Sequence, residues 1–417
     1  MVFFVATFIC SMLTTMMSCS DCEEQAGDSL AMPKTHRITA EQAKQNALDF
    51  VGQFDSTTRA FGGDLTVSEV KAIGCHKGDT RSIADAVSLD SLFYVVNFDN
   101  DRGFVLAASD DRETPVYAYV EDGKFDEDDV PNNGYDAFVN TLIENETTRR
   151  IEDRERLKTD EEQGGGNNGN SSANLPDKFE VMRPLLNTKW DQEKYKIFCP
   201  GPYTGCVPTA ISQICSYLRF PEHIEWSDNG VTRQRSINWV DIVTECGVNS
   251  GNPYSKELTY QIANLMRYWG VMFNAEYGAG DTFVSEGYAI KKMKELGYNA
   301  TGMSDYNAIN VMNDLKKGNR IIYMEGSGRY YHIYIFKRKY VDGHAWVVDG
   351  YIHSRKNNNE SIYIHCNWGW RGQRNGYFLS DVLNADEGPC YDDNANPITR
   401  NISNNFRYKL KTSTICK

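Results

Sequence analysis

Apolar and polar positions recur with helical spacing from Ala43 to Phe54, behind Ile38-Thr39-Ala40-Glu41, where Thr39 is suited to cap a helix. From Ser91 the period changes. Leu92 to Val96, Gly103 to Ala108 and Val116 to Val120 read as strands, and the turn Asn97 to Gly103 joins the first two into a small antiparallel sheet. Ala137 to Leu157 is a charged helix, and Gln163 to Asn174, rich in Gly, Asn and Ser, reads as a flexible linker. Beyond it the spacing predicts helices over Cys206–Tyr217, Thr259–Trp269, Val284–Leu296 and Ile309–Lys316. Strands are expected at Arg320–Met324, Ala345–Asp349, Ser361–Cys366 and Gly376–Leu379. Helices first and an antiparallel sheet after give an α+β class. No internal repeat is present.

The chemistry sits at the joints of this pattern. In Thr204-Gly205-Cys206-Val207-Pro208 a thiol occupies the first turn of a helix, whose positive end favours thiolate. Gly343-His344-Ala345-Trp346 sets a histidine at the mouth of an apolar strand, and Cys366-Asn367-Trp368-Gly369-Trp370 ends another strand in Asn and Trp. Cysteine, histidine and asparagine in that order follow the logic of cysteine hydrolases: nucleophile, base and orienting amide. The signature Cys-Gly-Ser-Cys-Trp is absent, which excludes a close papain relative.

The chain resembles the streptopain-like (C10) cysteine peptidases, which include the interpains. The resemblance runs through Leu185 to Gln192, Gly205 to Ile214, Ile237-Asn238-Trp239, Glu276-Tyr277-Gly278, Gly343-His344-Ala345, Asn367 to Trp370 and Gly376-Tyr377-Phe378. Upstream, Tyr94 to Asn97 and Gly103 to Asp111 resemble the family's propeptide. The resemblance implies a papain-like fold, a helical half plus an antiparallel sheet half, preceded by a small α+β prodomain. It makes Cys206 the nucleophile, His344 the base, Gln192 the oxyanion-hole amide, Asn367 the orienter of the imidazole and Trp368 its shield. It also implies an exported endopeptidase made as a zymogen, cutting proteins and peptides broadly with an apolar side chain preferred two residues before the bond. Gly343, Tyr277 and Gly278 are the substrate-binding candidates. No metal or organic cofactor is implied. Two features depart from the family. Ser327 to Asp342 is an aromatic and basic insert directly before the base, expected to form a hairpin, and His332 within it reads as structural. Cys199, just upstream of the nucleophile, reads as a bystander thiol.

The implied division is a signal peptide over 1–18, a tether over 19–35, an inhibitory propeptide over 36–162, a linker over 163–174 and a catalytic domain over 175–417. Charge follows it. The first 175 residues carry 15 basic against 32 acidic side chains, the rest 29 against 25, so an acidic leader would dock on a mildly basic body. The formal charge of −13 argues against a nucleic-acid partner. Outside the leader, which holds Cys10, Cys19 and Cys22, the eleven cysteines show no CxxC pair at zinc spacing and no legible disulfide framework. Two other function classes stay open on the residues alone: a non-catalytic surface binding protein on a degenerate scaffold, and an acyl-transferase or amidase using the same thiol chemistry.

Val2 to Met17 is apolar but lacks the positive flank of an ordinary signal, and no basic residue precedes Lys34. Met16-Met17-Ser18-Cys19 resembles a bacterial lipobox, followed by Asp21, Glu23 and Glu24. The precursor is therefore expected at the bacterial surface or outer membrane through lipid on Cys19, with release after a plain signal cleavage as the rival. Metabolic labelling with a fatty-acid analogue decides between them. Label is expected in the wild type and lost in Cys19→Ala; an unlabelled wild type rejects the lipoprotein reading.

Overall fold

The computed structural model describes residues 36–58, 65–74, 91–125, 133–160, 178–245, 255–279, 282–334, 337–356, 359–383 and 408–417. Cys19 and the linker expected at 163–174 lie outside these residues. The N-terminal region opens with helix α1 (Ala40–Thr58), whose first turn closes reciprocally. Gln42 N–H donates to Thr39 Oγ1 at 3.2 Å and Thr39 N–H to Gln42 Oε1 at 2.7 Å. Strands β1 (Val67–Ile73), β2 (Phe93–Phe98), β3 (Phe104–Ala108) and β4 (Val116–Val120) form an antiparallel meander, followed by helix α2 (Asn133–Asp160).

Strand β5 (Lys178–Met182) precedes a mainly helical stretch: α3 (Cys206–Leu218), the hairpin β6 (His223–Asp228) and β7 (Val231–Ser236), α4 (Trp239–Glu245) and α5 (Ser255–Met272). The short hairpin β8 (Glu276–Tyr277) and β9 (Thr282–Phe283) leads to α6 (Tyr288–Glu295). That helix begins four residues later than its spacing predicts. Thr282 and Phe283 pair with β8, and Gly287 turns the chain at φ +67°. Then come β10 (Asn299–Ala300), β11 (Ser304–Asp305) and α7 (Ala308–Lys316). The chain ends in β12 (Ile321–Tyr334), β13 (Lys337–Lys356), β14 (Asn359–Asn367), β15 (Gly376–Leu379), α8 (Ser380–Leu383) and β16 (Tyr408–Cys416). The insert before His344 continues the β12–β13 ladder as a hairpin, with Arg329 opposite Val341 and His332 opposite Arg338.

The small sheet expected in the N-terminal region is not separate. Strand β4 pairs with β15, so one sheet runs β1-β2-β3-β4-β15-β14-β13-β12-β16-β10, with β5 added on β13 and β11 on β16, while the hairpins β6-β7 and β8-β9 stand apart from it. A glycine permits this join: a Cβ on Gly376 would fall 2.4 Å from the Tyr119 carbonyl oxygen. Aromatic rings close both faces of the seam. On one, Phe50 of α1 meets Phe179 and Tyr363 at 5.3 and 5.2 Å, and Phe54 meets Tyr119 and Tyr377 at 5.2 and 5.3 Å. On the other, Phe138 of α2 packs 4.9 Å from Phe378. Arg149, fully buried on α2, bridges Glu113, Glu146 and Asp110, the last at 2.7 Å, and so fixes α2 to the β3–β4 loop. Alternation along β12 and β13 then divides two cores. Met324, Trp346 and Val348 face the α2 side, while Tyr323, Ala345 and Val347 face α3 and α5.

The seam carries a titratable contact. His365 Nδ1 lies 2.6 Å from Asp349 Oδ1, and Nε2 lies 3.7 Å from Glu121 Oε2 at the end of β4. Burial opposes the imidazolium, but Asp349 and then Glu121 outweigh it and raise His365 above its usual range; Lys189 acts the other way. Burial also raises Glu121, against the pull of His365 and Arg183. The pair needs Glu121 ionised and His365 protonated, so its contribution lies between the two raised values. It is complete below the unfolded histidine value of about 6.5 while Glu121 stays ionised, and it is lost as pH rises through the folded one. In a Cys206→Ala chain, Glu121→Gln should lower the melting temperature inside that window and converge with the parent on either side. A difference independent of pH would rule out the ion pair.

Candidate active site

Cys206 is the first residue of α3 because Gly205 before it adopts φ +97°, and a Cβ on Gly205 would come 2.9 Å from Thr282 Cγ2. The apolar run behind it, including Ile211, Ile214 and Cys215, buries α3 in the helical core. Burial raises the Cys206 thiol above its ordinary range. The N–H groups of Ala345, Val207 and Cys206 itself point at the sulfur and oppose this, and the carboxylate of Glu325 adds to it. His344 stands on β13 opposite Gly326. Its ring stacks on Trp346 at 5.9 Å, and Nε2–H donates to the Trp368 carbonyl at 3.0 Å. Burial pushes the imidazole down to about 4, despite that hydrogen bond.

Burial thus works against charge on both Cys206 and His344. Part of the surroundings of His344 comes from the N-terminal region. Gly134, in the first turn of α2, sits against both rings behind the base: a Cβ there would lie 2.2 Å from Trp368 Cε3 and 2.9 Å from His344 Cδ2. Only a residue without a side chain lets α2 start this close.

Asn367 also differs from expectation. Its Oδ1 accepts from Gln213 Nε2 at 3.1 Å and from Gly369 N–H at 3.2 Å, and its Nδ2 donates to the Thr188 carbonyl at 3.0 Å. None of these bonds reaches His344, whose ring is held by the Trp368 carbonyl instead. Gln213 Oε1 accepts from Thr188 Oγ1 and Trp190 N–H, both at 3.3 Å. The two amides thus join α3, the 188–192 segment and the Trp368 turn. Trp368 is buried, with Nε1–H on the Arg374 carbonyl at 2.9 Å.

Gln192 is buried next to Asp191, and its carbonyl accepts from Thr204 N–H at 2.9 Å, two residues before the nucleophile. Asp191 caps the following turn through Glu193 and Lys194 N–H and meets Arg371 at 2.8 Å. The substrate-binding candidates divide between the two halves. Tyr277 and Gly278 back the loop at Gly201, where a Cβ would lie 3.3 Å from the tyrosine, and the Arg267 guanidinium lies 5.3 Å from its ring. Gly343 is exposed beside His344 on the sheet side. Two residues near the site carry no sequence signal of their own. Gly134 is an ordinary helix-start glycine, and Glu325 becomes visible only once Glu325-Gly326 is paired against His344-Ala345.

Comparison with known proteins adds the family context. Residues 187–378 match the sequence model of the peptidase C10 family, and residues 35–145 match that of the Spi protease inhibitor. Streptopain of Streptococcus pyogenes is 24% identical over 387 residues, covering 82% of this chain and 85% of that protein. The thiol protease/hemagglutinin PrtT of Porphyromonas gingivalis is 23% identical over 398 residues, 85% of this chain but 40% of its own length. The structure of a Prevotella intermedia prointerpain A fragment superposes with TM-score 0.50 at 18% identity, over 83% of this chain and 98% of that one. It shares the fold.

With its thiol raised, Cys206 in the intact chain should alkylate slowly near neutrality and speed up only above the ordinary thiol range. Removing the N-terminal region should accelerate alkylation near neutrality by at least about tenfold. Gly134→Leu should produce part of that gain without cleavage. Equal reactivity in the intact and cleaved chains would reject the burial effect.

Proposed function

We propose that this chain, which matches the peptidase C10 family model over residues 187–378 and the Spi protease inhibitor model over residues 35–145, is a cysteine-type endopeptidase restrained by its N-terminal domain, and we assign the residues that act. One observation carries the assignment. The backbone N–H of Ala345, the residue after His344, acts on the Cys206 thiol, which brings the chain at His344 to the nucleophile. Cys206 attacks the peptide carbonyl, and His344 takes the thiol proton and returns it to the leaving amine. For this the imidazole turns from the Trp368 carbonyl towards the sulfur, and the pair then ionises. The Gln192 side-chain amide and the Cys206 N–H receive the oxyanion. Trp368 shields the base, and Asn367 acts through the buried amide network that holds the Trp368 turn. Tyr323 and Ala345, both buried beside the nucleophile, form an apolar wall suited to a side chain two residues before the bond, with Gly343, Tyr277 and Gly278 bordering the cleft.

The N-terminal domain restrains the site through Gly134 and the β4–β15 seam. Release follows cleavage of the linker at 163–174, giving a fragment that starts between about Gly164 and Lys178, as expected of a segment rich in Gly, Asn and Ser. The precursor is exported, with lipid on Cys19 as its tether and proteins and peptides as its substrates.

Casein hydrolysis should vanish in Cys206→Ala and fall by orders of magnitude in His344→Ala. Gln192→Ala should lower kcat by about 10² to 10³ with little change in KM. Cys206→Ala should remain full length until active enzyme is added. Undiminished hydrolysis by Cys206→Ala rejects the mechanism.

A further inference from the structure

Gln213 is a polar side chain in the buried run of α3, fully enclosed and two turns below the nucleophile. A buried amide costs free energy unless its donors and its acceptor are met. Here three hydrogen bonds close a ring. Gln213 Nε2 donates to Asn367 Oδ1 at 3.1 Å, Asn367 Nδ2 donates to the Thr188 carbonyl at 3.0 Å, and Thr188 Oγ1 donates to Gln213 Oε1 at 3.3 Å. Two backbone groups join it: Trp190 N–H at Gln213 Oε1, 3.3 Å away, and Gly369 N–H at Asn367 Oδ1, 3.2 Å away.

Each branch leads to a different part of the site. Trp190 stands two residues before Gln192, whose carbonyl is tied on its other side to Thr204 N–H. Gly369 follows Trp368, whose carbonyl holds His344 Nε2. The ring also has one polarity. The Thr188 carbonyl can only accept and the Gly369 and Trp190 N–H groups can only donate, so Asn367 must turn its oxygen to Gln213. Gln213 must then donate at one atom and accept at the other.

We propose that Gln213 is a positioning residue for peptide hydrolysis, setting the Gln192 segment and the Trp368 turn behind His344 against the Cys206 helix through this ring. The proposal rests on the peptidase reading above and adds to it a residue that never touches substrate. What it needs is the proton on Gln213 Nε2. Cys206 and Cys215 share the helix, and Lys189, Asp191, Arg371, His344 and Asp349 lie on the segments around it, but none of them bonds to Gln213.

Gln213→Glu tests this, because it keeps the shape and makes the proton optional. Protonated, the carboxyl donates to Asn367 as the amide does. Ionised, it has nothing to give, and Asn367 must turn and let go of Gly369 and Thr188. Burial among uncharged partners keeps such a carboxyl protonated above the ordinary glutamate value of about 4.3. Wild type and variant are matured with a trace of added protease and assayed on one peptide from about pH 5 to about pH 9. At about pH 5 the variant's kcat should lie within about threefold of wild type. Towards about pH 9 the ratio should fall by at least about tenfold, with KM unchanged. Gln213→Leu, which has no such proton at any pH, should lose a constant factor throughout. If Gln213→Glu does not fold, Thr188→Val removes one of the two donors to Gln213 Oε1 and should lower kcat about threefold or more at unchanged KM. A ratio of Gln213→Glu to wild type that ignores pH, a change confined to KM, or an undiminished kcat in Thr188→Val overturns the proposal. Matured wild type that cleaves no peptide overturns the peptidase reading, and this one with it.

Discussion

The side-chain amides of Gln213 and Asn367 meet at 3.1 Å inside the protein, and their remaining bonds go to Thr188, Trp190 and Gly369. The candidate catalytic residues are all tied to this junction. Gln213 lies seven residues beyond Cys206, two turns down the same helix. Thr188 and Trp190 lead into Gln192, and Gly369 follows the carbonyl that holds His344. Leaving either amide without its partner would strand a buried polar group at a cost of about 1 to 3 kcal/mol. The junction therefore fixes the separation of the helical and sheet halves, and with it the width of the cleft between nucleophile and base.

On that frame the N-terminal domain is built in, rather than laid on. Its last strand continues the catalytic sheet through β15, α1 covers one side of the join and α2 the other. Gly134 reaches His344 only because α2 is anchored at its far end by the buried Arg149 cluster. Restraint at the active site and cohesion at the seam are thus two ends of one helix. Burial works against charge on both Cys206 and His344.

Much of this was legible in the chain. The Gly205-Cys206 start of α3 announces itself, because a glycine at positive φ followed by an apolar helical run leaves few alternatives. The apolar strands at Phe93, Phe104 and Val116 emerge within one or two residues of their expected limits. The β4–β15 join was not legible. Apolar strands do not name their neighbours, and more than two hundred residues separate Tyr119 from Tyr377. The true partner of Asn367 was hidden too, because Gln213 sits among Ile211, Ile214 and Cys215 and passes for a break in an apolar face. Glu325 needed the register of a long hairpin before it could be placed beside Ala345.

Burial that raises the Cys206 thiol has a consequence for durability. Peroxide and disulfides react with thiolate and hardly with thiol, and over-oxidation past the sulfenic stage is irreversible for most cysteines. Burial that opposes ionisation of Cys206 therefore slows its oxidation while the N-terminal domain is in place. The same chemistry that readies the released enzyme for attack also exposes its sulfur to damage, so its working life begins to run down at the moment of activation.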